Sequence, residues 1–413
     1  MKNKGIKVKR RRKNFYRKRK STGRKILEVI LVVLLLAALV FIGYSVAPPL
    51  IKFFSGDKNT SSTSEPAWTP PETTTSQTES SAVVTTPPAT TTEKVPEKPQ
   101  LLGGTNAITA PNSAIQSTSA LKKYLETAKQ SGYKTVIFNL KDDTGHILYK
   151  STVDTIKDNT TIVTGKLTAT QIVKACKEAE ITPAATITTL NDHLIPKFID
   201  GTGYRTSDDW EWLDAAYDKG GQPWATPYSA ATVTYLSKIT KELSQAGFES
   251  IILQDVTFPN FRNYDYSLLP SYLKESARTE KLVELINKCT TTATDSHSFV
   301  NIDAANLLTL NKAYYKGTAE VWNSKNKISG AGILITLNVN TLDTTLQISD
   351  SESLKVDKDI AKAVSGVFTK IKKTAGNTEI AVGISNSSKL TSAQIKSATE
   401  AFKKLGYDNI VLM

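Results

Sequence analysis

From residue 101 to residue 413, short apolar runs alternate with longer segments whose apolar positions recur every three to four residues. The runs at 101–108, 133–140, 181–188, 248–254, 298–303, 330–338, 378–385 and 407–413 read as buried strands. The periodic segments at 121–132, 168–180, 231–247, 279–293, 353–376 and 392–406 read as amphipathic helices. Three of these helices end in a glycine followed by an aromatic residue, at Gly132-Tyr133, Gly247-Phe248 and Gly406-Tyr407. Glycine supplies the left-handed cap, and the next strand starts at once. Strict β–α alternation over about 310 residues predicts one (β/α)8 barrel of the TIM type. An open doubly wound sheet is the alternative. No glycine-rich phosphate loop follows the first strand, which argues against a nucleotide-binding version of it.

The most informative strand is the fourth, within Gly247 to Pro259 (GFESIILQDVTFP). Its apolar run Ile251-Ile252-Leu253 ends in Gln254 and Asp255, and Phe258-Pro259 stops it. Barrels of this kind place their chemistry at the carboxyl ends of the strands. The other ends supply Asn139, Lys141, Asp142 and Asp143 after strand two, and Asn191, Asp192 and His193 after strand three. Asn301 and Asp303 close strand five, Asn338 strand six, and Ser385 and Asn386 strand seven. The long segment 191–230 carries Tyr204, Trp210, Trp212, Tyr217, Trp224 and Tyr228. Amides and acids beside aromatic rings suit a sugar, whose hydroxyls take hydrogen bonds and whose ring faces stack. The competing reading makes the rings packing at the barrel mouth and the acids solvated loop residues.

Upstream the pattern changes. Residues 26–47 are almost wholly apolar, long enough for a hydrocarbon core of ~30 Å. They predict a single transmembrane helix with no convincing cleavage site before Pro48-Pro49; a cleaved signal peptide is the alternative. Residues 1–25 hold fourteen Lys and Arg and no acid, and taking these from the net charge of +13 leaves about −1 for the rest. The barrel region therefore has no basic footprint for nucleic acid. The basic tail belongs on the cytoplasmic side, near anionic lipid, so the C-terminal domain faces outward. Residues 48–100, rich in Thr, Ser, Pro and Glu, read as a disordered linker. The domain plan is thus a tail (1–25), an anchor (26–47), a linker (48–100) and a barrel (101–413) on a cell surface. Cys176 and Cys289 read as buried free thiols, although a single bridge stays open. His146, His193 and His297 have no metal-ligand spacing, and no metal or organic cofactor has a motif.

Three segments carry a family resemblance: VIFNLKDDTGHILYKS (136–151), Trp224-Ala225-Thr226-Pro227 with Tyr235, and Gly247 to Pro259. Together they resemble a family of extracellular (β/α)8 domains classed as glycoside hydrolases. The likeness spans about residues 101–413 and is firmest from Tyr133 to Pro259. The resemblance implies a barrel and a carbohydrate substrate. It also implies an Asp-Tyr pair followed by Arg ahead of Phe258-Pro259, where this chain has Gln254, Asp255 and Thr257. It implies an Asp where Asn139 stands, while Lys141, Asp142 and Asp303 match. Two family acids are amides here, which hydrogen-bond but exchange no proton near neutral pH. Asp255 follows Gln254, so strand alternation points it the other way unless a bulge re-aims it.

Two functional expectations follow. The first is a glycoside hydrolase acting on a cell-surface or extracellular polysaccharide. Asp255, Asp303 and Asp142 are its candidate acids, and Asn139, Lys141, Gln254, Trp224, Trp210 and Asn338 its candidate substrate contacts. The second is a catalytically silent barrel that binds glycan as a surface scaffold.

Overall fold

The computed structural model describes residues 107–413 apart from 270–271, 273–274, 310–320, 324, 329, 376–379 and 409. The expected basic tail, transmembrane helix and linker lie outside the described residues, as do positions 101–106 of the expected first strand. Among the described residues no helix is long and apolar enough to cross a membrane.

The strands are β1 (Ala107–Ala110), β2 (Thr135–Lys141), β3 (Thr182–Thr188), β4 (Ser250–Gln254), β5 (His297–Asp303), β6 (Ala331–Asn338), β7 (Thr345–Gln347), β8 (Ser353–Lys355), β9 (Ala381–Ser385) and β10 (Ile410–Leu412). All but β7 and β8 form a closed parallel barrel, in the order β1-β2-β3-β4-β5-β6-β9-β10 and back to β1. Besides two four-residue helices, Ile195–Phe198 and Asp265–Leu268, the described helices are α1 (Thr118–Gln130), α2 (Ala169–Glu178), α3 (Ala230–Ala246), α4 (Glu275–Thr292), α5 (Ala304–Leu308), α6 (Ile360–Ala375) and α7 (Ser392–Lys404). Their starts are chemically marked: Thr168 with Gln171, and Thr391 with Gln394, form reciprocal capping boxes on α2 and α7. Gly247 ends α3 at φ 99°, the left-handed cap that its Gly-Phe step implied. The parallel closed barrel matches the periodicity reading, and the open sheet is excluded.

The sequence suggested one helix over 353–376, and the structure divides that stretch. β7 and β8 pair antiparallel outside the barrel, and α6 begins only at Ile360. The Asp359 carboxylate accepts the amides of Ala361 and Lys362 at 3.0 and 3.2 Å, which fixes the helix start there.

The barrel interior is layered with a period of two. Ala107, Ile137, Ala184, Ile252, Phe299, Leu334, Ala381 and Val411, one from each barrel strand, form a buried apolar plug. Two residues further along each strand stand Thr109, Asn139, Thr186, Gln254, Asn301, Thr336, Gly383 and Met413. Successive strand side chains alternate faces, so this second set also points inward. Gly383 has no room for a side chain, since a Cβ would meet the Val411 carbonyl oxygen at 2.4 Å. A greasy floor thus carries a polar layer directly above it. On the outer face Cys176 and Cys289 are buried and free, and burial pushes both thiols up to about 12. Neither is poised as a nucleophile.

Candidate functional site

The polar layer lines a cavity of about 380 Å³ at the carboxyl ends of the strands. Thr109, Asn139, Thr186, Gln254, Asn301 and Thr336 come from the layer just described. One further step up the barrel adds Asp303, Asn338 and Ser385 at the rim, with Asn386 and Asp255 beside them. No Lys, Arg or His is among these described lining residues.

The amides are held rather than free. Asn139 and Asn301 accept hydrogen bonds from the Thr186 and Thr336 hydroxyls at 3.4 and 3.1 Å. Asn338 Oδ1 accepts the Asn386 side-chain amide at 3.0 Å, with Asn386 in a left-handed conformation at φ 59°. Paired in this way, each amide still offers an N–H or a lone pair to a ligand. The Thr109 hydroxyl oxygen is buried and makes no hydrogen bond among the described residues.

Asp255 enters the cavity through its backbone. It sits at φ 50°, a left-handed conformation that Asp tolerates better than most residues. This breaks strand alternation, so that Gln254 and Asp255, consecutive in sequence, both line the cavity. The turn is held by Thr189, whose hydroxyl donates to the carbonyls of Gln254 and Asp255 at 2.8 and 2.9 Å. The Asn191 side chain donates to Asp255 Oδ2 at 3.1 Å. Asp303 caps α5, its Oδ1 accepting the Asn306 amide at 3.0 Å. β4 and β5 are neighbours in the barrel, with Leu253 opposite Val300, so the two aspartates rise from adjacent strands.

Both carboxyls have raised pKa values. Asp255 is open to solvent but ringed by protein, and this desolvation is the main cause; the Asn191 hydrogen bond and the more distant Lys141 charge oppose it, and the Asp143 charge adds to it. For Asp303 desolvation again dominates, opposed by the amides of Asn306 and Ala305. Neither acid forms an ion pair among the described residues.

The structure does not bring Asp142, Lys141, Trp210 or Trp224 to this cavity. A β-bulge between Asn139 and Lys141 breaks the two-residue phase of β2. Lys141 is fully buried, 3.0 Å from Asp192 Oδ2, and donates to the Thr188 carbonyl at 2.7 Å. Asp192 Oδ1 in turn accepts the Leu194 and Ile195 amides at 2.9 and 2.8 Å, which anchors the long β3–α3 loop. The Tyr149 and Ser151 hydroxyls both donate to Glu242 on α3, at 2.5 and 2.6 Å. Much of the segment 136–151 is therefore a clamp between loops and helix.

Asp142 closes a turn. Its Oδ1 accepts the amides of Thr144, Gly145 and His146 and the Thr144 hydroxyl, all within 3.0 Å. Burial alone would raise its pKa, but the Thr144 and His146 hydrogen bonds and the His146 charge outweigh that and hold it low. A depressed carboxyl stabilises the fold above its unfolded value near ~3.9 and loses that contribution as pH falls through the folded value. The gap in melting temperature between the parent and Asp142→Asn is therefore expected to be widest at neutral pH. It should shrink below about pH 4; a gap independent of pH in thermal unfolding would contradict this role.

The buried loop aromatics pack on rings from neighbouring segments, and Tyr217 and Trp210 stay exposed. Tyr204, fully buried, has Trp212, Phe261 and Tyr272 around it at 5.8, 5.5 and 5.4 Å between centroids. Trp224 donates its indole N–H to Asp214 at 3.1 Å and stands edge-on to His193. Trp210 is 74% exposed on the loop surface. Sequence reasoning missed Thr109, Thr186 and Thr336 as lining residues. The signal was available: each lies two residues beyond an apolar plug position.

No curated protein matches the chain. Solved structures with some likeness include a hypothetical protein from Ruminiclostridium thermocellum, 19% identical over 43% of this chain and 90% of that one, at a TM-score of 0.36. The catalytic domain of a beta-amylase from Paenibacillus polymyxa is 12% identical over 75% and 92%, at 0.46. The glycoside hydrolase domain of PelA from Pseudomonas aeruginosa is 10% identical over 75% and 94%, at 0.37. Overlaps this loose carry no argument, and the fold rests on the strand order itself. Sequence decides the family: the model described as "Putative glycosyl hydrolase domain" matches residues 107–314, about half of the chain, and the chain belongs to that family.

Proposed function

We propose that this chain is a glycoside hydrolase, anchored in the membrane by residues 26–47 and acting on a cell-surface or extracellular polysaccharide. One observation carries the reading: two unpaired aspartates from adjacent strands open into one cavity otherwise lined mainly by amides and hydroxyls. Glycosidic hydrolysis needs two carboxyl groups flanking the bond, one giving a proton to the leaving oxygen. The other attacks the anomeric carbon, or activates water to do so. Asp255 is the proton donor in this scheme, because desolvation above all, with the Asp143 charge, disfavours its anion more than the Asn191 hydrogen bond and the Lys141 charge favour it. Asp303 is the second carboxylate, because two backbone N–H groups favour its anion. The surface location rests on the apolar run and the basic residues ahead of it.

A competing reading has a specific observation behind it. Asn139 and Gln254, amides where the resemblance implies acids, both line the cavity. A glycan-binding barrel without turnover needs no more than these.

The pH–rate profile tests the choice. With Asp255 as donor, kcat/KM falls as pH rises through its raised pKa, so the basic limb lies above the ordinary Asp value near ~3.9. Asn191 donates to the Asp255 carboxylate and favours the anion. Its removal in Asn191→Ala is expected to move that limb to higher pH. An unmoved limb would take the donor role from Asp255, and absence of turnover on every glycan offered would favour the binding reading.

A further inference from the structure

The character of the lining points beyond the reaction type to the substrate's charge. We infer that the barrel mouth takes an uncharged glycan and discriminates against glycans bearing carboxylate, sulfate or phosphate groups. This rests on the carbohydrate reading of the cavity.

Three observations support it. The described lining holds two carboxyls and no cationic side chain. An anionic substituent entering it would face Asp255 and Asp303 with no cationic side chain among the described lining residues to form an ion pair. Like charges brought together in a partly desolvated site repel strongly, and nearby positive charge is what relieves that repulsion.

Three described cations on segments around the mouth are also engaged by other groups. Lys141 is fully buried against Asp192 and the Thr188 carbonyl. Lys389 donates to the Asn340 side chain at 2.6 Å, outside the lining. Arg262 is held by Asp265 at 2.9 Å and by the Leu213 carbonyl at 2.8 Å. Sites that take carboxylates or phosphates present a guanidinium fork, an ammonium or a row of free backbone N–H groups. The described lining shows none of these side chains.

The neutral groups, in contrast, suit hydroxyls. The Thr109 oxygen is buried on the lining without a hydrogen bond among the described residues, and a buried hydroxyl left in that state is costly. A sugar hydroxyl, both donor and acceptor, satisfies it in either sense. The Asn139, Asn301 and Asn338 amides each have one atom already fixed by a protein neighbour, which orients the rest toward a ligand. A polyol meets such alternating donors and acceptors without bringing charge.

The test uses the full chain in detergent micelles and matched pairs of hexasaccharides. Gluco-, manno- and galacto-hexasaccharides are compared with their C6-oxidised uronic acid counterparts by calorimetry at neutral pH. The neutral member of at least one pair is expected to bind about tenfold or more tightly than its acid. In the double variant Asp255→Asn with Asp303→Asn, that ratio should fall to about twofold or less. Equal or tighter binding of the acids overturns the inference but leaves the carbohydrate reading standing. A preference for neutral sugar that survives in the double variant also overturns it, because the carboxyls then do not cause it. Failure of every pair to bind overturns both readings together.

Discussion

Asp303→Asn is expected to lower turnover by about 10²- to 10⁴-fold, the usual worth of a positioned acid–base group, and to leave glycan affinity within a few-fold of the parent. Asparagine caps a helix as well as aspartate does, so the Asn306 hydrogen bond and the α5 start survive the change. Only the charge is lost. The same variant should be more heat-stable than the parent at neutral pH. The sign follows from the raised pKa: such a group supports the fold below its unfolded value and loses that contribution as pH rises through the folded value. As pH rises through that value the parent comes to hold an ion in a place that disfavours it, and the amide removes that cost. Asp255→Asn should behave alike, since its pKa is displaced the same way for the same main reason. Lower turnover with a higher melting temperature separates a working acid from a merely structural one. A variant both inactive and less stable would mean that the carboxylate is a structural cap.

The largest effect on stability is expected at Lys141. Lys141→Met should destabilise the barrel by about 3–5 kcal/mol, because it leaves the fully buried Asp192 carboxylate without its cation. The loss should be felt as loosening of the β3–α3 loop, whose start Asp192 ties to the Leu194 and Ile195 amides. Adding Asp192→Asn to that variant should recover most of the stability. The amide keeps the oxygen that those two N–H groups need and removes the orphaned charge. Urea denaturation of the parent, the single and the double variant reads this directly. Equal loss in the single and double variants would mean that Lys141 acts through packing of its stem, not through the pair.

The barrel was legible because its physics is periodic. Apolar runs, helical spacing and Gly-aromatic steps all repeat, and each repeat reinforces the assignment of the next. Even the depth of the site could be read, since Ile252 to Gln254 is one two-residue step from plug to polar layer. The aim of individual side chains was not legible where the backbone departs from that period. A single bulge in β2 carries Lys141 out of the cavity, and one left-handed residue carries Asp255 into it. Neither departure has a marker in the sequence: no glycine or proline announces the bulge, and Asp255 is not a residue that demands positive φ. The loop aromatics misled for another reason. Their composition suits sugar stacking and suits a small packed cluster equally well. Only the neighbours, such as Phe261 and Tyr272 around Tyr204, decide between the two. The segments that carried the family resemblance turn out to be partly architectural. Lys141, Tyr149 and Ser151 secure loops and helix around the mouth, whereas Asn139, Gln254 and Asp255 of the same segments line the cavity.

The most direct measurement is the separation of the Asp255 and Asp303 carboxylate oxygens in a crystal structure with an oligosaccharide bound in the barrel mouth. The account predicts a sugar seated over Thr109 and Asn301 with its glycosidic oxygen between the two acids. It predicts a separation of about 5–5.5 Å for a retaining enzyme or about 6.5–9.5 Å for an inverting one. A sugar bound away from both aspartates, or carboxylates more than about 10 Å apart, would contradict it.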